Sequence, residues 1–499
     1  MNQSSAHKDL DFQTCYGNLQ CARLELPLDY WNGTNPDRTI SLAVVKVPAK
    51  VPPTDPRYGG PVLFNPGGPG GSGVGFIAAI GKLLQILIDS LEPPEFTDPS
   101  SDAKYYDIVG FDPRGVGWTF PGAHCFDKMS DRTTWRLRMY SEGMLDSSDA
   151  VLGRLWSMAQ AFGSSCYYCL DPGYDIKQFL TTASVARDMV ELIDALGRDR
   201  QRETEALSNG KASSSKDNHR FQHSCTRYTA GEEKLQYWGI SYGTQLGSTF
   251  ASLFPDRVGR MVLDGVLNAE NYGAGLWSDN LHDTEKVMQY FYKTCAAAPG
   301  KCSLANTGST PDDIEAKVQS IFAHLYHNPI PISDPDVLFP EVMTYSDIRM
   351  LTYRSLGAPL IGFPMLAKIF SAIEKRNISS FATGLHQMKS CGCELSCSPP
   401  EPQYINDQES SISSLCSDGA PQDWYNTTYF NEHHLKKLED ISPTGGAISA
   451  FVRLSCTGWK IRPLYRYDQP YGGQTSHPIL WVGNTADPVT PVTSLVVSF

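Results

Sequence analysis

One serine in the middle of the chain stands at the apex of a strand, a tight turn and a helix. The apolar run 235–238 leads into Gly-Ile-Ser-Tyr-Gly at 239–243, and a helix-like stretch continues to Pro255. Such a turn forces strained backbone angles at the serine, and the two glycines allow strand and helix to approach closely around it. This pattern is typical of a nucleophile elbow and predicts Ser241 as a catalytic nucleophile; a glycine-rich turn without chemistry is the alternative.

A second glycine-rich segment supplies candidate donors for the oxyanion that a serine nucleophile creates. A short apolar strand at 61–64 runs into Asn-Pro-Gly-Gly-Pro-Gly-Gly-Ser-Gly at 65–73, and an apolar helix follows at 74–91. In α/β-hydrolases the oxyanion hole uses the N–H of the residue after the nucleophile and an N–H from the loop after the third strand. The sequence therefore predicts Tyr242 and Gly68 as the two donors, because a glycine leaves the substrate carbonyl unobstructed.

The same loop matches the glycine spacing of a nucleotide-binding turn, since 68–73 reads G-x-G-x-x-G. A dinucleotide site requires an acidic residue at the end of a second strand about 20 positions further on. The nearest acid, Asp89, falls inside the apolar helix pattern, and no Walker lysine follows the glycines. The oxyanion interpretation is therefore favoured over a nucleotide site.

A third landmark is the strand 105–111, which leads into a turn that contains Asp112 and Arg114. A charged pair at a strand end commonly fixes a loop through local hydrogen bonds. We therefore interpret both residues as structural, with a catalytic role as the alternative.

These segments together resemble one family of enzymes. The loop 65–70, the turn 111–117, the elbow 239–247, the strand 260–266 and the late segment 483–491 are similar to those of the tripeptidyl-aminopeptidase-like α/β-hydrolases. This family is related to the prolyl aminopeptidases, and the resemblance is to its fungal type, including its characteristic C-terminal region. It implies a serine exopeptidase that removes short peptides from a free amino terminus without a cofactor. The family also includes members that act on other esters and amides.

The acid of a catalytic triad follows the nucleophile in this fold, because the chain order is Ser, then Asp or Glu, then His. Asp487 comes just past the strand 478–482 and matches the acid of the family that the chain resembles. We expect it to orient the histidine and to stabilise its cationic form. Asp264, which follows an earlier strand, is the fallback.

The base of the triad is missing from this pattern. All eleven histidines precede Asp487, and the nearest, His477, stands at the opposite end of the same strand. A strand of about five residues spans roughly 17 Å, so His477 is expected to lie away from the acid. We expect that the triad histidine is not present in this chain and that the C-terminal strand and helix of the fold are truncated. A cap histidine such as His433 or His434, or a catalytically inactive hydrolase fold, is the alternative.

The long segment between the two halves of the fold predicts a cap. Residues 1–267 and 441–499 are assigned to an α/β-hydrolase core with a mostly parallel sheet, and residues 268–440 to an inserted helical cap. Helical patterns occur in the cap at 312–327 and 344–376. Insertions of this kind lie over the serine, so the cap is expected to determine substrate choice. The resemblance implies that acidic cap residues hold the ammonium group of a substrate. Candidates among them are Glu374, Glu394 and Glu401.

The segment 198–233 differs in composition from its surroundings. It is rich in Ser, Lys, Asn and Arg, lacks apolar periodicity and follows a clear helix at 176–196. Such a composition buries too little apolar surface to offset the ordering entropy, which predicts a solvated loop. The net charge of −12 argues against nucleic acid as a partner. No membrane partner is expected either, because charged and polar residues interrupt the apolar helix at 74–91.

Thirteen cysteines are many for a cytosolic enzyme and favour disulfides. Loop-closing spacings join Cys15 with Cys21, Cys166 with Cys169, and Cys295 with Cys302. A further group consists of Cys391, Cys393, Cys397 and Cys416. A zinc site in this group is the alternative, but paired Cys-x2-Cys spacing and a histidine ligand are missing, so no metal site is predicted.

Glycosylation sequons also favour an extracellular protein. They begin at Asn2, Asn32, Asn377 and Asn426. No basic and apolar signal peptide is visible at the start of the chain. We expect a secreted glycoprotein, with a cytoplasmic location as the alternative.

The sequence as a whole predicts a serine hydrolase that acts on a peptide or a small ester or amide. The favoured function is an aminopeptidase that releases short peptides from free N-termini through an acyl-enzyme on Ser241. An esterase or lactonase of a biosynthetic pathway, or a catalytically inactive hydrolase-fold binding protein, stays open, because the elbow serves all acyl transfers alike.

Overall fold

The computed structural model describes residues 6–31, 37–171, 173–209, 227–334, 337–389 and 406–497. Its strands are β1 Gln13–Cys15, β2 Leu19–Pro27, β3 Thr39–Val47, β4 Tyr58–Asn65, β5 Tyr105–Asp112, β6 Leu235–Ile240, β7 Val258–Asp264, β8 Ile330–Asp334, β9 Val337–Met343 and β10 Ile479–Val482. Eight of them form one sheet in the order β1-β2-β3-β5-β4-β6-β7-β10, while β8 and β9 form a separate antiparallel pair. The strands from β5 to β10 in that order are parallel, and β3, β2 and β1 extend the sheet antiparallel at one edge.

Helices connect the parallel strands and build the cap. They are α1 Gly73–Ile88, α2 Met129–Glu142, α3 Val151–Tyr168, α4 Thr182–Asn209, α5 Tyr242–Leu253, α6 Ala269–Gly273, α7 Thr284–Ala296, α8 Pro311–His327, α9 Tyr345–Leu356, α10 Pro359–Glu374, α11 Ala382–Lys389, α12 Asp407–Asp418, α13 Thr427–Phe430, α14 Lys436–Ile441, α15 Gly446–Thr457 and α16 Val492–Val497.

The sheet is covered on both faces, as a mostly parallel sheet requires. Helix α1 packs on one face through Val74 and Ile77, in a cluster with Val45 and Phe64. Helices α4 and α5 pack on the other face in the largest apolar cluster. A parallel sheet between helices, with a serine turn between β6 and α5, is the α/β-hydrolase fold, so the predicted fold class is confirmed.

One sequence expectation about the region before the elbow is wrong. The predicted loop 198–233 begins inside α4, which continues to Asn209. Charged side chains on this part of α4 have partners: Arg200 pairs with Glu233 at 2.6 Å, and Arg198 pairs with Asp9 at 2.5 Å. These ion pairs hold a polar helix that has few apolar residues to bury. Residues 210–226 lie outside the described ranges.

The cap draws on two parts of the chain. Helices α7 to α11 pack with the β8–β9 pair around one apolar cluster. Helices α2 and α3, which come before the elbow in sequence, pack with α12 to α15 in two other clusters, where Phe162 contacts Trp459. The layer next to the sheet thus includes residues of the first segment as well as residues from 268 onwards. The domain boundaries assigned from the sequence remain a prediction.

Four disulfides are present in the described ranges. Those between Cys15 and Cys21 and between Cys295 and Cys302 confirm the spacing argument. The others join Cys125 to Cys166 and Cys416 to Cys456. The expected pair of Cys166 with Cys169 is wrong, because Cys166 is buried on the packed side of α3 whereas Cys169 is exposed just after the helix end and is free.

Every helix in the described ranges is too short or too polar to cross a membrane. Over the same ranges, no group of three or more His, Cys, Asp or Glu side chains is placed to hold a metal ion. The zinc alternative at Cys391, Cys393 and Cys397 concerns residues outside these ranges.

Candidate active site

The elbow expected from the sequence lies at the junction of β6 and α5. Ser241 has φ 57° and ψ −123°, and non-glycine residues rarely adopt a positive φ. Its N–H donates to Asp264 O at 2.9 Å, and its carbonyl accepts from Thr244 N at 2.8 Å. A strained residue of this kind costs about 1–3 kcal/mol and persists only where the surrounding structure enforces it. The hydrogen bonds on both sides of Ser241 provide that restraint.

Two glycines make the elbow sterically possible. A Cβ at Gly239 would lie 2.3 Å from Gly243 O, and a Cβ at Gly243 would lie 2.7 Å from Asn65 O. Both distances are shorter than real Cβ contacts. The hydroxyl of Tyr237 donates to Gly243 O at 2.8 Å and closes the same turn. The Gly-x-Ser-x-Gly spacing is therefore a packing requirement at this junction.

The glycine loop after β4 lies directly against the elbow. A Cβ at Gly67 would lie 2.5 Å from Ile240 O, 2.9 Å from Tyr242 N and 3.1 Å from Ser241 Cβ. Gly68 follows with φ 123° and is exposed. The Tyr242 N–H belongs to the first turn of α5, where backbone donors have no partner within the helix. The two residues predicted as oxyanion donors thus belong to segments in direct contact.

The charged pair of the β5 turn has structural contacts. Asp112 is fully buried, and its carboxylate accepts from Ser72 Oγ at 2.6 Å and from Trp118 N at 2.7 Å. Burial raises the pKa of Asp112, and these donors oppose that shift. Arg114 is also buried and binds Asp188 through two hydrogen bonds of 2.6 and 2.7 Å. Asp112 therefore braces the glycine loop, while Arg114 fixes the turn to α4.

Asp487 lies in the loop that follows β10. Its Oδ1 accepts from Val489 N at 3.0 Å and from Thr490 N at 2.8 Å. Its Oδ2 accepts from Asn484 Nδ2 at 3.2 Å. A carboxylate oxygen accepts more than one hydrogen bond, so Oδ2 retains capacity for a further donor.

The loop of Asp487 reaches the nucleophile turn through one glycine. A Cβ at Gly265 would lie 2.9 Å from Thr490 Oγ1 and 3.8 Å from Ser241 N. Asp264, the fallback acid, directs its backbone carbonyl to Ser241 and accepts from Trp238 Nε1 at 3.3 Å with Oδ2. The structure thus gives Asp264 a role in holding the elbow.

None of the histidines in the described part of the chain hydrogen-bonds to Ser241 or Asp487. His477 Nδ1 lies 3.0 Å from Val258 O, at the start of β7 and far from the end that carries Asp264. The cap histidines have aromatic neighbours, with His433 4.6 Å from the Tyr429 ring and His434 buried against Phe430. Burial, with a smaller effect of nearby cations, lowers the pKa of His434 to about 4.

The start of cap helix α12 contacts the turn after β5 and the glycine loop after β4. The sequence predicted neither contact. Asn406 Nδ2 donates to Gly115 O at 2.6 Å, and its Oδ1 accepts from Gly117 N at 3.1 Å. A Cβ at Gly70 would lie 2.8 Å from Ser411 N. Asn406 immediately precedes a helix, where Asn is common, and this is the sequence signal that could have identified it.

Of the three acidic cap residues named as candidates for binding a substrate ammonium group, the structure describes one. Glu374 is exposed at the end of α10, 4.0 Å from Lys317 Nζ. Glu394 and Glu401 lie outside the described ranges. The contacts of Glu374 do not place it at Ser241.

The side chain of Tyr242, the residue after the nucleophile, belongs to a buried polar network. The Tyr242 hydroxyl lies 2.5 Å from Thr182 Oγ1, which donates to Asp418 Oδ2 at 2.6 Å. Tyr272 donates to the same oxygen at 2.9 Å. Burial raises the pKa of Asp418 to about 6. A cavity of about 350 Å³ adjoins this network.

The fold and the serine elbow define a serine hydrolase of the α/β-hydrolase class.

No family model matches the chain. Serine protease Hip1 of Mycobacterium tuberculosis is 26% identical over 489 residues, covering 95% of this chain and 77% of its own length. Tripeptidyl aminopeptidase of Streptomyces lividans is 28% identical over 270 residues, 53% of this chain and 39% of its own. Carboxylesterase B of M. tuberculosis is 34% identical over 172 residues, 34% of this chain and 28% of its own.

These relatives support a place for the chain among the α/β-hydrolase peptidases. All three come from bacteria. Among solved structures, a protein of Nostoc sp. PCC 7120 assigned as an α/β-hydrolase aligns with 73% of this chain and 76% of its own at 12% identity. Its TM-score of 0.22 is too low to add to the evidence from the sheet and the elbow.

Proposed function

We propose that this protein is an aminopeptidase that releases short peptides from free N-termini. The observation that carries the proposal is the strained Ser241 at the elbow, enclosed by the glycine loop and adjoined by the loop of Asp487. The names of two relatives, a serine protease and a tripeptidyl aminopeptidase, favour a peptide substrate.

The reaction follows from the roles of these groups. Ser241 Oγ attacks the scissile carbonyl and loses its proton to a general base, which the carboxylate of Asp487 would orient. The N–H groups of Gly68 and Tyr242 stabilise the oxyanion of the tetrahedral intermediate. The C–N bond then breaks, the general base returns the proton to the leaving amine, and water hydrolyses the acyl-enzyme by the same steps.

The amino end of the substrate distinguishes this function from others. A buried ammonium must be paired with carboxylates, because its desolvation is otherwise not offset. Acetylating the N-terminus of a tripeptide amide substrate is therefore expected to lower kcat/KM by about tenfold to a thousandfold, as a charge-assisted contact is lost. The Ser241→Ala variant measures the background rate for both substrates.

An esterase is the second candidate, because a carboxylesterase is among the relatives. Equal cleavage of free and acetylated peptides, or cleavage of simple esters without any peptide hydrolysis, would favour the esterase and exclude the aminopeptidase. The elbow and its nucleophile are the same in both cases.

A further inference from the structure

A cavity of about 350 Å³ lies beside helix α5. Gln245 and Thr249 form part of its wall, one and two helical turns after Ser241. The loop 466–471 and Asp418 form further parts of the wall. None of the groups proposed for catalysis is among the described residues that line the cavity. Its rim includes exposed residues of the loop 466–471, so a small molecule can enter from solvent.

One amide at this cavity has an oxygen atom without a donor. Gln245 is 2% exposed, and its Nε2 donates to the Tyr471 hydroxyl at 2.6 Å. Its Oε1 is buried and accepts no hydrogen bond from the residues that the structure describes. A buried carbonyl oxygen is unfavourable in this state, because the hydrogen bonds that it made with water are not replaced. A hydrogen-bond donor in the cavity would replace them, since Gln245 lines it.

The charge of the cavity wall favours a cation. The described lining residues include one cation, Arg466, and the carboxylates of Asp418, Glu270 and Asp468. Arg453 also lies near Asp418, but it is fully buried and does not line the cavity. With Arg453 counted, the three carboxylates still exceed the two cations. Burial raises the pKa of Asp418 to about 6, so its carboxylate is ionised above about pH 7.

Aromatic rings form another part of the wall. The lining tyrosines are Tyr272, Tyr467 and Tyr471, and the rings of the last two lie 5.1 Å apart. Tyrosine rings attract an ammonium group through their negative faces and offer apolar surface to its carbon atoms. Carboxylates together with aromatic rings therefore suit an organic ammonium ion. A metal ion fits less well, because the described residues hold no group of three or more side chains placed to ligate one.

We infer that this cavity binds a small primary amine in its ammonium form, at a site separate from Ser241. The ammonium group donates to Gln245 Oε1 and to the carboxylate of Asp418, whose Oδ1 accepts one described hydrogen bond, from Thr182 N at 2.8 Å. The organic part of the ligand packs on the tyrosine rings. A neutral alcohol would donate to Gln245 but would leave the carboxylates unbalanced, so we expect the positive charge to decide the affinity. The inference does not rest on the proposed aminopeptidase activity.

Isothermal titration calorimetry at about pH 8 tests the inference with benzylammonium and with benzyl alcohol, its neutral counterpart of the same shape. We expect saturable binding of benzylammonium with a Kd of about 1 mM or lower, and at least about tenfold weaker binding of benzyl alcohol. Gln245→Met, which removes the acceptor and keeps a side chain of similar length, is expected to weaken benzylammonium binding at least about tenfold. Gln289→Met is the matched control, because Gln289 lies on α7 and donates to Glu315. It should bind benzylammonium as the unmodified protein does.

A crystal structure locates the ligand without any variant. Crystals of the unmodified protein soaked with 4-bromobenzylammonium should give an anomalous scattering peak for bromine inside this cavity. No peak in the cavity, equal binding of benzyl alcohol, or full binding by folded Gln245→Met would overturn the inference.

The amino end of a peptide substrate is the other source of a primary ammonium group. A tripeptide amide with a free N-terminus, titrated into the Ser241→Ala variant, should not displace benzylammonium if the cavity is separate from the catalytic site. Displacement would assign the cavity to the substrate and would overturn a separate amine site.

Discussion

The backbone N–H of Thr490 donates a hydrogen bond of 2.8 Å to Asp487 Oδ1, while the hydroxyl of Thr490 lies against Gly265 beside the nucleophile turn. This contact fixes the carboxylate relative to Ser241. It leaves Oδ2 with a single described donor, the Asn484 amide. The arrangement suits an acid that holds another residue in position.

Asp487→Asn is expected to lower kcat by about a factor of 10⁴ without loss of the fold, because the amide no longer orients and stabilises the general base of the reaction. Asp264→Asn is the matched control. Its carboxylate accepts only a 3.3 Å contact from Trp238, so we expect less than about a tenfold effect. Steady-state kinetics measures kcat of both variants, and circular dichroism checks that both are folded. A larger fall in kcat for Asp264→Asn than for Asp487→Asn would make Asp264 the acid of the triad.

Gly67→Ala tests the contact between the glycine loop and the elbow. The new Cβ would lie 2.5 Å from Ile240 O, at a residue with φ 89°, so we expect the loop to move and kcat/KM to fall at least about tenfold. Gly231→Ala has a similar φ of 82° but no atom within 4 Å of the new Cβ. The control should lose about 1–2 kcal/mol of stability and keep full activity. Unchanged kinetics in Gly67→Ala would argue against this loop as part of the site.

The disulfides of the cap and of the first strands are expected to differ in their contribution to stability. Loss of the Cys416–Cys456 bond, which closes a separation of 40 residues, should cost about 4 kcal/mol. Loss of the Cys15–Cys21 bond, with a separation of 6, should cost about 2 kcal/mol. Double Cys→Ser variants and denaturant unfolding measure both values.

Free thiols at these positions in protein from its natural compartment would contradict the expected secretion.

Asp418 predicts a dependence of stability on pH. Its pKa in the folded state is about 6, above the ordinary value of 3.8, so the folded state binds the proton more tightly than the unfolded state. The contribution of Asp418 to the free energy of unfolding is therefore fully present below pH 3.8 and is lost as pH rises through about 6. Relative to Asp418→Asn, we expect the unmodified protein to lose about 1–3 kcal/mol between pH 4 and pH 7. If the free energies of unfolding of the two proteins changed with pH in parallel, Asp418 would not be the group responsible for the pH dependence.

The elbow and the fold class were predictable because their chemistry is local in sequence. Gly239, Ser241 and Gly243 lie within five residues, and their spacing is dictated by contacts between β6 and α5. The placement of Asp487 required the resemblance to a known family. Sequence patterns identify such local geometry well.

The features that were missed depend on contacts between distant segments. Cys166 pairs with Cys125 rather than with Cys169 because α3 turns one face to the cap, and helix packing of this kind is invisible to cysteine spacing. The polar part of α4 keeps its helical form through partners such as Glu233 and Asp9, which no periodicity shows.

Covalent labelling with a fluorophosphonate tests the central claim most directly. We expect the probe to modify the peptide that contains Ser241, and Ser241→Ala to abolish labelling while the circular dichroism spectrum is kept. Ser248→Ala, on the same helix and with its hydroxyl bonded to Thr244 O at 2.8 Å, should label normally. Labelling that persists in Ser241→Ala would show that the nucleophile lies elsewhere and would contradict the assignment of this elbow.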